Sequence, residues 1–104
     1  SYLPYSAAPA LASNPQLYLG EIAYAQKNYE QAVTEYDKVL VNYPKSFKLA
    51  PARLKKGLAL LELNQKTSAI RELREVIRRY PGTEEERRAR AKLKELGVPG
   101  TTSR

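Results

Sequence analysis

The sequence predicts an all-α solenoid of two stacked helix pairs, closed by a C-terminal capping helix. Two observations carry that prediction. Apolar residues recur at helical spacing, and the chain matches itself when displaced by 37 residues. At that displacement Gly20 meets Gly57, Ala32 meets Ala69, Glu35 meets Glu72, Val39 meets Val76, and the step Tyr43–Pro44 meets Tyr80–Pro81. Leu17 meets Leu54, Val33 meets Ile70, Tyr36 meets Leu73, and Leu40 meets Ile77. Shared Leu and Ala positions arise by chance between amphipathic helices. A glycine and a Tyr–Pro step at one common offset call for a repeated unit.

Each unit reads as two helices. Asn14 is a suitable N-cap and Pro15 fits the first helical position, so the first helix is expected over about 15–27. Gly20 inside it costs helix stability, about 1 kcal/mol relative to Ala, and is kept where a neighbouring helix must come close. Asn28, with Gln31 three residues on, reads as a capping box opening a helix over about 29–43. Ala32, Val33, Tyr36, Val39, Leu40 and Tyr43 form its apolar stripe, and Pro44 stops it. The second unit repeats the plan over about 48–64 and 67–80, with Pro51 in the opening turn. Its second stripe is Ala69, Ile70, Leu73, Val76, Ile77 and Tyr80, ended by Pro81. Thr83 and Glu86 form a second capping box. The last helix is expected over about 84–96, with Gly97 as its C-terminal stop. It carries few apolar residues, the profile of a polar cover helix. The repeat domain therefore spans 14–97, with units at about 14–47 and 51–83. Residues 1–13 read as an extended arm and 98–104 as a frayed tail.

Composition narrows the chemistry. The chain of 104 residues fits one domain and has no Cys, His, Met or Trp. Without Cys there is no disulfide, thiolate metal site or thiol nucleophile. Without His the commonest general base and transition-metal ligand is missing. Asp37 is the only Asp, and no glycine-rich phosphate loop is present. Neither an enzyme nor a cofactor is expected, and no metal site. Ser1 is not an initiator Met, which fits a processed or excised product. No run approaches the ~20 apolar residues of a membrane span. The whole net charge of +7 falls in residues 53–104.

The spacing inside each unit resembles the tetratricopeptide repeat. Leu19–Gly20 stands ahead of Ala32, Tyr36 and Pro44 at the intervals that separate Gly57 from Ala69, Leu73 and Pro81. The family's repeat is ~34 residues, and the longer period here places three extra residues around Lys45–Leu49. The wording goes further. Leu17-Tyr18-Leu19-Gly20-Glu21, then Tyr24 through Ala32, is similar to the C-terminal domain of the YbgF-like family. That family belongs to the Tol–Pal system and coordinates cell division in the bacterial periplasm. Tyr43-Pro44-Lys45-Ser46 and Arg79-Tyr80-Pro81-Gly82-Thr83 resemble its connectors. The BamD-like outer-membrane assembly lipoproteins share the Tyr-Pro-x-Ser step. The chain departs from the signature at Lys56, where Leu is expected before Gly57, and at Gln16 and Arg53, where an aromatic belongs.

The resemblance implies a concave wall built by the first helix of each pair, binding a peptide or helix segment of an envelope protein. Helical spacing places Leu17, Glu21, Tyr24, Leu54, Leu58, Leu61 and Glu62 in that groove, with Arg88 and Lys92 added by the cover helix. A basic face is read at Arg71, Arg74, Arg78, Arg88 and Lys92, laced by pairs such as Arg71–Glu75 and Glu86–Arg90. Interleaved glutamates and the lack of aromatics argue against nucleic acid there. Three roles follow: a periplasmic adaptor, an outer-membrane assembly scaffold, or a cytoplasmic adaptor with a basic face on nucleic acid. A homo-oligomer is left open.

Overall fold

A computed structural model of the chain describes residues 14–43 and 49–101. Among these residues it forms five helices: α1 (Asn14–Ala25), α2 (Tyr29–Asn42), α3 (Leu49–Glu62), α4 (Lys66–Arg79) and α5 (Glu84–Glu95). No strand occurs among the described residues. The expected arm over 1–13, the stop at Pro44 and the inter-unit insertion up to Lys48 lie outside the described parts, and Asn14, expected as the cap before the first helix, is its first residue.

Each hairpin closes by one device used twice. In the first turn Lys27 N–H donates to Tyr24 O (2.9 Å) and Asn28 N–H to Ala23 O (2.8 Å). In the second, Asn64 N–H donates to Leu61 O (3.0 Å) and Gln65 N–H to Leu60 O (2.9 Å). Both are Schellman closures, with the left-handed residue at Lys27 (φ 63°) and Asn64 (φ 62°). The residue after each then starts the next helix. Asn28 Oδ1 accepts from Gln31 N–H at 3.3 Å, but the second half of the expected capping box is not made. Gln31 sends its side-chain amide to Glu35 instead. Thr83 Oγ1 does accept from Glu86 N–H at 3.0 Å, and Glu86 reaches back to Gly82 N–H at 2.7 Å.

Consecutive helices pack side by side, and α3 also touches α5. The hydrophobic interior falls into two clusters that share α3. The first gathers Ala23, Ala32, Tyr36, Val39, Ala52 and Ala59. The second gathers Leu54, Leu73, Val76, Ile77, Ala89 and Leu93. From its middle turns α3 therefore offers small alanines to the first pair and leucines to the second, with Leu49 at its start also packing on the first. Both stripes expected on α2 and α4 lie on these clusters, except Tyr43, which follows the end of α2, and Ala69, which is buried outside both.

The two glycines sit where the helices of a pair come closest. A Cβ on Gly20 would lie 2.6 Å from Tyr36 Cε1, and one on Gly57 would lie 3.0 Å from Leu73 Cδ2. Tyr36 is wholly buried, so its flat ring has no room to retreat. Leu73 is equally buried but meets Gly57 less closely, with a methyl at 3.0 Å and Cγ at 3.2 Å, so a shift of a few tenths of an ångström suffices.

The positions that depart from the family signature are explained by polar ties across each pair. Gln16 donates its amide to Glu35, and Arg53 Nη1 contacts Glu72 Oε1 at 2.6 Å. Glu35 is buried, 6% exposed, so a donor from the facing helix is what makes its burial tolerable. Lys56 spans two neighbours, 2.8 Å from Asp37 on α2 and 3.1 Å from Glu72 on α4. Burial alone would pull its ammonium pKa down, but these two carboxylates outweigh it and raise it.

The tail differs from expectation. Val98 joins the second cluster. Arg74 Nε and Nη2 donate to Pro99 O at 3.2 and 3.1 Å. Val98 N–H bonds Leu93 O (3.1 Å) and Gly97 takes φ 77°, a third Schellman closure. Residues 98–101 thus fold back along α4, because an apolar side chain and a guanidinium hold them. Residues 102–104 lie outside the described part.

Two outcomes follow for stability. Gly20→Ala is expected to lower the unfolding free energy by about 1–3 kcal/mol, the range for overpacking a core. Gly57→Ala is expected to stay within about 1 kcal/mol of wild type, because helix propensity offsets a smaller clash. Urea denaturation of both variants measures the ordering, and equal losses would contradict the packing argument. Separately, Lys27→Gly is expected to gain about 0.5–1 kcal/mol by relieving a left-handed L-residue. Asn64→Gly should gain less, since Asn tolerates that conformation, and thermal melts of the pair compare them.

Candidate functional site

α1, α3 and α5 line one side of the stack, the wall that the sequence reading assigned to a groove. Its centre is Tyr24. The ring stands edge-on to Tyr29, centroids 5.2 Å apart, and Lys55 Nζ lies 4.4 Å from its centroid. Lys55 also reaches Glu21 Oε1 at 3.6 Å. The phenol pKa of Tyr24 is raised, first by burial, then by the charge of Glu62 on α3 and by Tyr29, while Arg88 on α5 opposes. Residues of all three helices thus act electrostatically on one half-buried ring. On α3 the i, i+3, i+7 spacing of Lys55, Leu58 and Glu62 sets them along one side. Lys92 continues the wall on α5, paired with Glu95 at 2.9 Å.

Not every residue assigned to the groove is there. Leu54 is 1% exposed and belongs to the second core cluster. Leu58 and Leu61 are half-buried against that cluster, and Leu17 against the first. Leu54, Leu58 and Leu61 of α3 are turned towards α4 and α5 because that is where apolar partners wait. The wall is therefore polar with one aromatic, not an apolar channel rimmed with charge. Of the expected set, Glu21, Tyr24 and Glu62 meet there, joined by Arg88, with Leu58 at the edge. Lys55 was missed, although its place one turn before Leu58 marked it.

The basic face also divides. Arg88 acts on Tyr24 from the wall of α1, α3 and α5, and Lys92 lies one turn further along the same helix. Arg71, Arg74 and Arg78 stand on α4 beside the returning tail. Glu75 pairs there with Arg78 (2.8 Å) and Arg79 (2.6 Å), not with Arg71 as expected. The expected Glu86–Arg90 pair is made at 2.9 Å.

A third surface is apolar and bare. Tyr18 is 65% exposed and Leu19 49%. Their counterparts one repeat later, Lys55 and Lys56, are tied into ion pairs, and the intervening face of α3 is covered by α2. Among the described residues no group of three or more Asp or Glu side chains is placed to hold a metal ion. No described helix is long and apolar enough to cross a membrane.

The repeated hairpins, the glycine contacts and the wall of first helices agree with the comparison of sequences. The profile of the tetratricopeptide repeat family matches residues 16–46 and 51–83. The chain belongs to the tetratricopeptide repeat family. No curated protein matches it closely enough to count as a relative. Tetratricopeptide repeats generally mediate protein–protein interaction, and the fold is a scaffold for binding, generally non-enzymatic.

The ion pairs of this tetratricopeptide domain give a pH signature. Hydrogen bonds from Arg78 and Arg79 bring the Glu75 carboxylate pKa down from 4.5 to about 2. A folded-state value below the unfolded one means that the pairing stabilises fully above pH 4.5 and is lost as pH falls towards 2. The site is exposed, so its worth stays below about 1 kcal/mol. Glu75→Gln is expected to cost that much at neutral pH and nothing near pH 2 or in ~1 M salt. Urea titrations across this range measure the convergence; a constant difference would contradict it.

Proposed function

We propose that this domain is an adaptor of the bacterial cell envelope, docking a partner segment on the wall formed by α1, α3 and α5. The observation that carries the reading is the Tyr24 constellation. Lys55 lies over the half-buried ring and pairs with Glu21, and the charges of Glu62 on α3 and Arg88 on α5 act on the same ring. A partner crossing the wall meets both signs of charge and one aromatic anchor, which suits a helix or extended segment of mixed charge. Alternating charge sets register and rejects wrong partners more than it adds affinity.

The envelope setting rests on the wording of the sequence. Leu17–Glu21, Tyr24–Ala32 and the Tyr–Pro connectors are similar to the YbgF-like family, whose members work in the periplasm with the Tol–Pal system during cell division. In that setting the partner is an envelope protein, and the adaptor's task is to couple constriction to wall synthesis.

A photo-crosslinking amino acid at position 62 or 88 is expected to capture one discrete envelope protein in cells. The same group at Thr34, on the exposed side of α2, should capture none. Combining Glu62→Lys with Arg88→Glu should weaken the purified complex at least about tenfold, equivalent to ~1.4 kcal/mol, while helicity by circular dichroism stays at the wild-type level. Equal adducts from position 34, or unchanged affinity of the double variant, would sink the concave-wall reading. Recovery of the protein from the cytoplasmic fraction would sink the envelope setting alone.

A further inference from the structure

The outer side of α4 carries a second groove, separate from the concave wall. It lies between α4 and the returning residues 98–101, in two adjoining chambers. One holds about 500 Å³ and is lined by Ile70, Arg71, Arg74 and Val98 among others. The other holds about 440 Å³ and is lined by Arg74, Ile77, Arg78 and Arg90 among others. Arg74 and Glu75 border both, so the chambers form one trough along the helix.

Its electrostatics are one-sided. Glu75 is the one carboxylate lining the two chambers, and it is already matched by Arg78 and Arg79. Arg90 is held by Glu86. Glu72, the other carboxylate on α4, is taken by Arg53 and Lys56. Arg71 makes no ion pair among the described residues, and Arg74 engages only the neutral carbonyl of Pro99. Two guanidiniums three residues apart thus stand one turn from each other above Ile70 and Val98, with no carboxylate of their own. Guanidinium forks are made for carboxylates, and the apolar floor between them takes an aliphatic side chain.

We propose that this trough is a second docking site, taking an acidic protein segment in which carboxylates flank an aliphatic residue. A nucleic acid fits it less well. Its affinity grows with the number of phosphates neutralised, and only two cations here lack a carboxylate. No aromatic side chain lines the trough to stack a base, and Glu75 lies midway along it. Arg90 and Arg88 are two residues apart on α5 and so point to different sides, which separates this site from the Tyr24 wall.

The test uses the whole chain and a short fluorescein-labelled peptide of glutamates flanking a leucine, followed by anisotropy. Wild type should bind this probe and should not bind its glutamine counterpart. Arg71→Glu should weaken binding about tenfold with an unchanged melting curve, because Arg71 is exposed and unpaired. Arg71→Lys should keep part of the affinity. Arg88→Glu, on the Tyr24 wall, should leave the affinity for this probe unchanged. Equal binding of the glutamine probe, no effect of Arg71→Glu, or an equal loss with Arg88→Glu would each overturn the proposal. So would tighter binding of an oligothymidylate with a steep salt slope. The envelope partner captured at positions 62 and 88 is a separate readout, so either site can fail without the other.

Discussion

α3 has to be buried on two sides at once, and most of the architecture follows from how it does so. Its alanines, Ala52 and Ala59, admit α2 closely, while Leu54, Leu58 and Leu61 fill the space beneath α4 and α5. A helix with large residues on both sides would push the pairs apart. One with small residues on both would leave the second core empty. The stacking of one unit on the next is thus written in the size difference between two sides of a single helix. Gly20 and Gly57 serve the packing inside each pair, and α3 serves the packing between pairs.

Polar side chains then fix what hydrophobic packing leaves loose. Glu35 and Glu72 occupy the same place in their units and are each reached from the facing helix, by Gln16 and by Arg53. Lys56 extends this tie across the unit boundary to Asp37. These contacts are weak evidence for stability, since desolvation offsets much of their attraction. Their geometry is specific, however, and a slipped register would strand a buried carboxylate. Of the residues that part from the family's usual apolar pattern, Arg53 and Lys56 are joined through Glu72, and Gln16 holds the matching carboxylate in the first unit.

The repeat, its helices and the close glycine contacts were legible in the sequence because each depends on local spacing. The caps were half legible. Asn28 and Thr83 do accept the expected backbone hydrogens, but Gln31 had a better partner in Glu35 than in its own cap. The groove was read least well. Leu54, Leu58 and Leu61 form an apolar stripe, and spacing alone does not say whether a stripe faces a neighbour or an opening. The arrival of α5 decided it, by offering Ala89 and Leu93 to the same cluster. The tail was misread for a related reason. Val98 and Pro99 look like the end of a helix, and their hold on α4 depends on Arg74, twenty-five residues earlier.

Hydrophobic exposure and charge are segregated along the stack. Among the described residues the exposed large hydrophobics, Tyr18, Leu19 and Val41, all belong to the first pair, while the surplus of cations lies in the second half. Dissolved salt therefore acts on the two halves unequally. It screens the cationic second half over a Debye length of about 10 Å at 0.1 M, and finds no net charge to screen on residues 1–52, where four lysines balance four carboxylates. Long-range repulsion between molecules is thus carried by one half of the chain and fades as the buffer is concentrated.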